Sequence, residues 1–577
     1  MRQRSFLSFL AVCVAVLLLI GTTGCNKNPF SQAKGAGTTQ DPSAAMFVLK
    51  QAPVMVSMLV NPDHLPTLPL DTDLSRIKTS LLANTGIDYK KDIQPWLGNE
   101  ITLAVTTLDI DRDPENGSQP GYLMALATNQ PKKSREFVDS FFAKQALAGA
   151  NLAVEQYKGV KLTYINSAET STADVRRYTQ TKPANINVHQ PTLHASTSAV
   201  QNHLAGAVVG DRFVLFANEP KVLRQAINNV QVPDLNLTQS SKYQQATKEL
   251  PKSAVAIAFL NLPQVAKWQS LELPKPIYDS QILSLVLNPK GLLTETTFIA
   301  KEDLTPLEQL SKPVGALQYI PASVGLVISG SNLSNLGKSN LAQLWQQVTT
   351  TISGSDDDVA SRLLQPLVEV QKRWNLNWKD DIFNWVPGEY AIGLLPRPEQ
   401  KIPDWIFVVE KSDATPAGIS RLDQIASSHG LSLSPITLSE QQISSWTELT
   451  TANTNTKDQE SFTVQAKVHG LHTTVSNYEI FTNSIEAMDQ VLNLKENSLI
   501  DNHNFQDSIA TIPLPNQGYI YLDWTKSQQF VENQLPILKL VELVGKPFFH
   551  NLRSLTVSSY GSETGLLKGG VFFQLEN

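Results

Sequence analysis

Residues 92–105 read DIQPWLGNEITLAV, and residues 381–394 read DIFNWVPGEYAIGL. The landmarks around these stretches recur in the same order. That ordered recurrence constrains the fold more than any other feature. It predicts two diverged copies of one unit, at 45–300 and 316–577, joined by a linker at 301–315.

Each copy opens with a β-prone stretch, at 46–60 and 317–330. A helical region follows, marked by Leu81 and Leu82 in the first copy and by 361–374 in the second, where apolar residues fall at helical spacing. A short helix then ends at Trp96 or Trp385, and a strand pair comes next. Further on, strand–turn–strand units centre on Gly210-Asp211 and Ser476-Asn477. Lys158-Gly159 and Pro289-Lys290-Gly291 mark hairpin turns in the first copy, and Gly561-Ser562-Glu563 closes the last hairpin of the second. Pro131 and Pro416 suit the first turns of helices, where a missing N–H costs nothing. Antiparallel hairpins with intervening helices predict an α+β fold, with helices on one face of curved sheets. Strict strand–helix alternation is absent, which argues against a parallel doubly wound sheet. Residues 167–200, rich in Thr, Ser, Asn and Pro, read as a mobile surface insert, with TANTNTKDQE at 451–460 as its shorter counterpart.

The N-terminus reads as an export signal. Arg2 and Arg4 precede an apolar run from Phe6 to Ile20, and Gly21-Thr22-Thr23-Gly24-Cys25 follows. Cys25 is the candidate lipid-attachment residue of a lipoprotein cleavage box, although Thr22 stands where an aliphatic residue is usual. Two other outcomes are an uncleaved anchor, since Phe6–Thr23 is at the short limit for spanning a bilayer, and a fully cleaved product. All three put the body outside the cytoplasm. Residues 26–44 read as a flexible tether.

Cys13 and Cys25 are the only cysteines. The body beyond Cys25 therefore excludes zinc–thiolate, iron–sulfur and cysteine-nucleophile chemistry. It is large enough to bury cores without disulfides. The chain carries 47 basic and 53 acidic residues, a net charge of −6. Loss of Arg2 and Arg4 leaves 45 against 53, about −8. That balance argues against nucleic-acid binding, which needs a basic face.

The run at 80–128, EQYKGVKL at 155–162 and GDRFVLFAN at 210–218 resemble cyanobacterial members of the uncharacterised domain-of-unknown-function family numbered 3352. The resemblance implies an exported or membrane-anchored protein without an assigned reaction. It also implies a periplasmic or thylakoid-lumenal setting, and it transfers no catalytic residue.

The sharpest polar cluster is Asp109, Asp111 and Asp113, whose alternating carboxylates suit a hard cation such as calcium. Pro114 and Pro120 stand where an EF-hand needs Gly and Glu, and Asp, Pro and Asn-Gly are ordinary loop residues. No other cofactor is indicated. His189, His194 and His203 are irregularly spaced, while His469 and His472 are predicted on opposite faces of one strand. Trp96 and Trp385 read as core plugs, or alternatively as ligand-stacking surfaces. Trp268, Trp378, Trp405 and Trp524 share that ambiguity. No nucleophile elbow, H-E-x-x-H pair or P-loop occurs.

The sequence thus favours a membrane-anchored extracytoplasmic scaffold or assembly-assisting protein over an enzyme, with a membrane-protein complex as partner. The alternatives are a binding module for lipid, pigment or glycan in a groove between the repeats, and an enzyme whose site assembles only in three dimensions.

Overall fold

Uninterrupted runs of branched and aromatic residues, such as FVLFA at 213–217 and AVAIAFL at 254–260, build the strands of this chain. The computed structural model describes residues 42–61, 87–113, 118–166, 203–269, 278–301, 309–334, 365–397, 402–456, 459–495, 497–534, 549–560 and 565–576. The signal segment with Cys25, residues 26–41 of the expected tether, Leu81 and Leu82, the insert 167–200, the Trp378 side chain and the Gly561–Glu563 turn lie outside them. The last expected tether residues belong to the folded body instead, because Ser43 and Ala44 start a 3₁₀ turn held by Glu100.

The first half holds β1 (Val54–Met58), β2 (Leu97–Thr107), β3 (Gly121–Thr128), β4 (Leu152–Tyr157), β5 (Val160–Ile165), β6 (Ala205–Val209), β7 (Phe213–Ala217), β8 (Ala254–Asn261), β9 (Tyr278–Asn288) and β10 (Gly291–Ala300). The second holds β11 (Leu326–Gly330), β12 (Tyr390–Leu395), β13 (Asp404–Glu410), β14 (Ser432–Leu438), β15 (Gln441–Thr456), β16 (Gln459–Val475), β17 (Tyr478–Thr482), β18 (Tyr519–Asp523), β19 (Leu552–Ser559) and β20 (Leu566–Leu575). All pair antiparallel in one 20-stranded sheet. From one edge the first half runs β4-β5-β6-β7-β3-β2-β1-β8-β9-β10. From the other edge the second runs β14-β15-β16-β17-β13-β12-β11-β18-β19-β20. The two orders match strand for strand. The last strands meet at the centre, where β10 pairs β20 from Gly291↔Gln574 to Ile299↔Leu566.

Helices cover both faces of the sheet, not the single face expected from sequence. In the first half α1 (Pro131–Leu147) buries Val138, Phe141 and Phe142 with Trp96 on one face. On the other, α2 (Pro220–Gln231) buries Val222, Leu223, Ala226 and Ile227, and α3 (Ser241–Lys248) adds Tyr243. Further helices are α4 (Leu262–Gln269), α5 (Gln365–Trp374), α6 (Thr415–Ser428), α7 (Ile485–Leu492), α8 (His503–Ile509) and α9 (Trp524–Gln534). Strand residues divide accordingly: Phe213 and Leu215 of β7 join the α2 side, and Val214 and Phe216 join the α1 side. Strands covered on both faces lose polar alternation and read as continuous apolar runs.

The same polar devices recur in the two halves. Glu100, buried at the start of β2, accepts from Ser43 N (3.1 Å) and Ala44 N (2.7 Å) and so caps the 3₁₀ turn Ser43–Phe47. Glu389 accepts from Gly315 N (2.6 Å), the first residue of the turn Gly315–Tyr319. These turns replace the start of the β-prone stretches expected at 46–60 and 317–330. Asn218 Oδ1 accepts from Tyr122 N, and Asn483 Oδ1 from Trp405 N, each at 2.8 Å. Edge-to-face rings pair Tyr243 with Phe259 at 5.2 Å and Phe505 with Tyr521 at 5.0 Å.

The seam between halves is closed. Phe298 and Tyr278 share a cluster with Leu326, Val557 and Leu567, and Leu293 packs with Ile512, Tyr519 and Phe572. Lys568 pairs with Glu249 across it at 2.6 Å, and Lys290 pairs with Asp507. Among the described residues, a strand-to-strand joint stands in place of the groove expected between the repeats. Close to that joint, Leu310 of the expected linker bridges to Asn516.

The two outer edges differ. Pro435 lies within edge strand β14, where a missing N–H blunts further pairing. Beyond β14, β15 and β16 continue as a two-stranded ribbon from Glu448↔Lys467 to Thr456↔Gln459. Residues 451–456 and 459–460, expected in a loop, are thus strand: their threonines suit a pleated ribbon, and the flanking register zips them together. At the other edge, Arg224 of α2 forks onto Glu155 of β4, with Nη2–Oε2 at 2.6 Å and Nε–Oε1 at 3.0 Å. The hydrogen bond from Arg224 holds the Glu155 carboxyl below its ordinary value of 4.5. A depressed folded value stabilises above the unfolded one, and the contribution disappears as pH falls through it. Arg224→Gln is expected to cost about 1 kcal/mol or less at neutral pH, because both side chains are partly solvated. Thermal unfolding should show that cost shrinking as pH drops below 4.5; a pH-independent cost would assign it to packing instead.

Candidate functional site

Most polar groups singled out from sequence serve the fold locally. Asp109 Oδ1 accepts from Gln119 N at 3.2 Å, and Asp111 Oδ1 accepts from Asp113 N at 3.1 Å. Ser118 Oγ donates to Leu108 O at 2.6 Å, tying the base of the same loop. Among the described residues no group of three or more His, Cys, Asp or Glu is placed to hold a metal ion. His189 and His194 lie outside the described residues, and His203 lies 3.5 Å from Glu219.

The sequence placed His472 on a strand but not the buried cluster that forms around it in the second half. His472 Nδ1 lies 2.9 Å from Glu479 Oε1, and its Nε2 lies 3.7 Å from Asp423 Oδ1. Asp423 also accepts from Trp446 Nε1 at 2.7 Å, and the imidazole is flanked by Trp446 and Phe481. The carboxylates stand on opposite sides of the ring, so they do not converge on one ion. The signal was missed because Asp423 comes from α6 and the others from β15–β17. His469 is the residue of β16 skipped where the β15–β16 register shifts, and it lies 2.8 Å from Glu448.

The first half contains an open groove of about 560 Å³ between α1 and the π-helical turn Tyr89–Ile93. This turn is built locally: Asp92 Oδ2 accepts from Asp88 N at 2.8 Å, and Trp96 Nε1 donates to Asp92 O at 2.6 Å. Half-buried Phe137 and Ile87 line it, over the buried rings of Trp96 and Phe141. Lys91, Lys133 and Lys144 stand exposed around it, with Glu136 beside them. Residues 133, 137, 141 and 144 form one helical stripe, Lys-Phe-Phe-Lys, which is the signal that the sequence offered.

The second half builds the same turn and closes it. Asp381 Oδ2 accepts from Asn377 N at 2.7 Å, and Trp385 Nε1 donates to Asp381 O at 2.6 Å. There Arg421 Nε of α6 donates to Asp381 Oδ1 at 2.6 Å. Gly418 sets α6 directly on the Trp385 ring, where a Cβ would overlap the indole. In the first half the Phe137 ring intervenes, 5.4 Å from the Trp96 ring centroid. Gly418→Ala is expected to destabilise by about 1–3 kcal/mol through overpacking. A denaturation midpoint unchanged from wild type would refute this close contact. Trp96 and Trp385 are both buried, as are Trp405 and Trp524.

Fold and site define an α+β protein with a large antiparallel sheet, packed helices and an aromatic, lysine-rimmed groove. The chain belongs to the DUF3352 family, proteins of unknown function, which it matches over residues 10–575. No curated protein matches it. Among solved structures it is similar to "Structure of crystal form I of TP0453", with 9% identity over 47% of this chain and 82% of that one, at a TM-score of 0.25. Crystal form III of TP0453 gives 11% identity over 47% and 83%, at 0.25. Likeness at that level carries no argument about role.

Proposed function

We propose that this chain is an exported, membrane-tethered scaffold or assembly-assisting protein made of two diverged copies, 45–300 and 316–577. The observation that carries this reading is the pair of matching ten-strand orders joined at β10–β20. A duplicated unit fused edge to edge yields a long rigid surface. The buried polar groups described above are engaged in capping and pairing within that surface. The N-terminal segment supplies the attachment, through a lipidated Cys25 or a retained span, and residues 26–41 supply the tether. Among the described residues no helix is long and apolar enough to cross a membrane. In this reading the cell is cyanobacterial and the body lies in the periplasm or thylakoid lumen, as the stretches at 80–128, 155–162 and 210–218 suggest by resemblance. The Asp109–Asp113 loop belongs to this reading as a structural loop.

The test is recovery of the tagged full chain from gently solubilised membranes, with quantitative mass spectrometry against a control carrying residues 1–44 alone. A reproducible, stoichiometric membrane-protein partner is expected. Recovery of nothing beyond the control would overturn the scaffold reading.

A further inference from the structure

We propose that the α1 face of the first half is a seat for an anionic lipid surface, held by Lys91, Lys132, Lys133 and Lys144. The proposal rests on the anchored reading above, which puts a membrane within reach, and adds which face of the body lies on it. Helix α1 carries Lys132, Lys133, Arg135 and Lys144 against Glu136 and Asp139. Arg135 is paired with Asp211, and Asp139 with Lys161 at 3.0 Å. No carboxylate among the described residues pairs with the three lysines of α1, all exposed, or with exposed Lys91 on the neighbouring turn. That turn's own carboxylates, on Asp88 and Asp92, accept from backbone N–H groups. Two apolar side chains stand on the same side. Leu147, 89% exposed, ends α1, and Val154, 63% exposed, lies on edge strand β4. Val154 pairs with Thr163, Thr163 pairs with Gly206, and a Cβ on Gly206 would meet Phe142 of α1, so all three share the α1 side of the sheet. Ammonium groups spread along a helix and a turn, with single apolar side chains among them, suit a fluid layer of headgroup phosphates better than one fixed anion. The second half has no such face: α6 carries only Arg421 and Asp423, which are engaged with Asp381 and Trp446. The chain also enters the body at this end of the sheet. Glu100 receives Ser43 N at 3.1 Å, and β2 leaves the Lys91 turn at Leu97, about 10 Å away along the strand. Residues 26–41 reach at most about 55 Å, which keeps an anchored membrane within range of the face. Each lysine near an anionic surface multiplies adsorption about fivefold, which is weak alone but enough to orient a body already tethered.

The test is lysine acetylation, read by mass spectrometry, of the full chain reconstituted through its own N-terminus into vesicles. One set is phosphatidylcholine alone, and the other contains phosphatidylglycerol as well. On the anionic vesicles Lys91, Lys132, Lys133 and Lys144 should label about threefold more slowly than on the neutral ones. Exposed Lys248, at the end of α3 over the opposite face, should label alike on both. Salt at about 1 M, where the screening length is about 3 Å, should abolish the protection. Combining Lys132→Gln, Lys133→Gln and Lys144→Gln should weaken adsorption about a hundredfold and leave Lys91 unprotected. With Arg at the same three positions Lys91 should stay protected. Equal labelling on both vesicle sets would overturn the proposal and leave the anchor standing, whereas a chain that floats with neither set would overturn both. Protection already complete on neutral vesicles, shared by Lys248 or unchanged in the glutamine variant would also overturn it.

Discussion

Replacing Phe298 by Ala is expected to destabilise the whole body by about 3–5 kcal/mol, in one transition rather than in one half. Phe298 belongs to β10 of the first half, and it is fully buried. Its cluster, however, is built largely from the second half, including Leu326, Val557 and Leu567. Truncation leaves a cavity at the joint, and the surrounding strands cannot collapse into it without breaking the β10–β20 register. Denaturation followed by probes placed separately in each half should give coincident curves for both wild type and variant, displaced together. Should the first-half probe move alone, the halves are independent domains and the rigid-surface argument fails.

That joint was not legible in the sequence, whereas much of what it joins was. The turns at Lys158-Gly159, Gly210-Asp211 and Ser476-Asn477 were readable because their requirement is local: Lys158, Gly159, Gly210 and Ser476 all adopt positive φ. Helix α1 was readable from Pro131 and its apolar spacing. The two-sided cover of the sheet was written in FVLFA and AVAIAFL, runs without polar alternation, yet hairpin order alone suggested one covered face. Glu100 and Glu389 sit inside the matching stretches at 92–105 and 381–394. Their capping role depends on turns 57 and 74 residues earlier in the chain, so no local pattern reveals it. Tyr478 adds a donor to Glu389 at 3.0 Å, and burial, then this bond, keeps its hydroxyl above the ordinary value. The groove was the least legible feature. Its lysines and phenylalanines form a visible stripe, but its existence rests on how closely a helix approaches a tryptophan. Phe137 and Gly418 set that approach differently in the two halves.

Gly518→Ala is expected to cost about 3–5 kcal/mol, while Gly210→Ala should cost only about 1 kcal/mol. Both glycines have positive φ, +108° and +57°. They differ in their surroundings. Gly210 turns in open space, with no atom within 4 Å of an added Cβ, so its substitution carries backbone strain alone. Gly518 leads into β18, where its N–H donates to Asn516 Oδ1 at 3.0 Å and its carbonyl accepts from Ser558 Oγ at 2.6 Å. A Cβ there would run into the Ser329 carbonyl and lie 2.8 Å from Gly330 Cα, both on β11. Backbone atoms cannot rotate away as a side chain can, so β18 and β11 must separate. The Tyr519↔Ser329 pairing, next to the start of the second half's central strands, would go first. Chemical denaturation of the two variants side by side decides this. Equal losses would mean that β18 has room beside β11, and the tight packing described for the middle of the sheet would not hold.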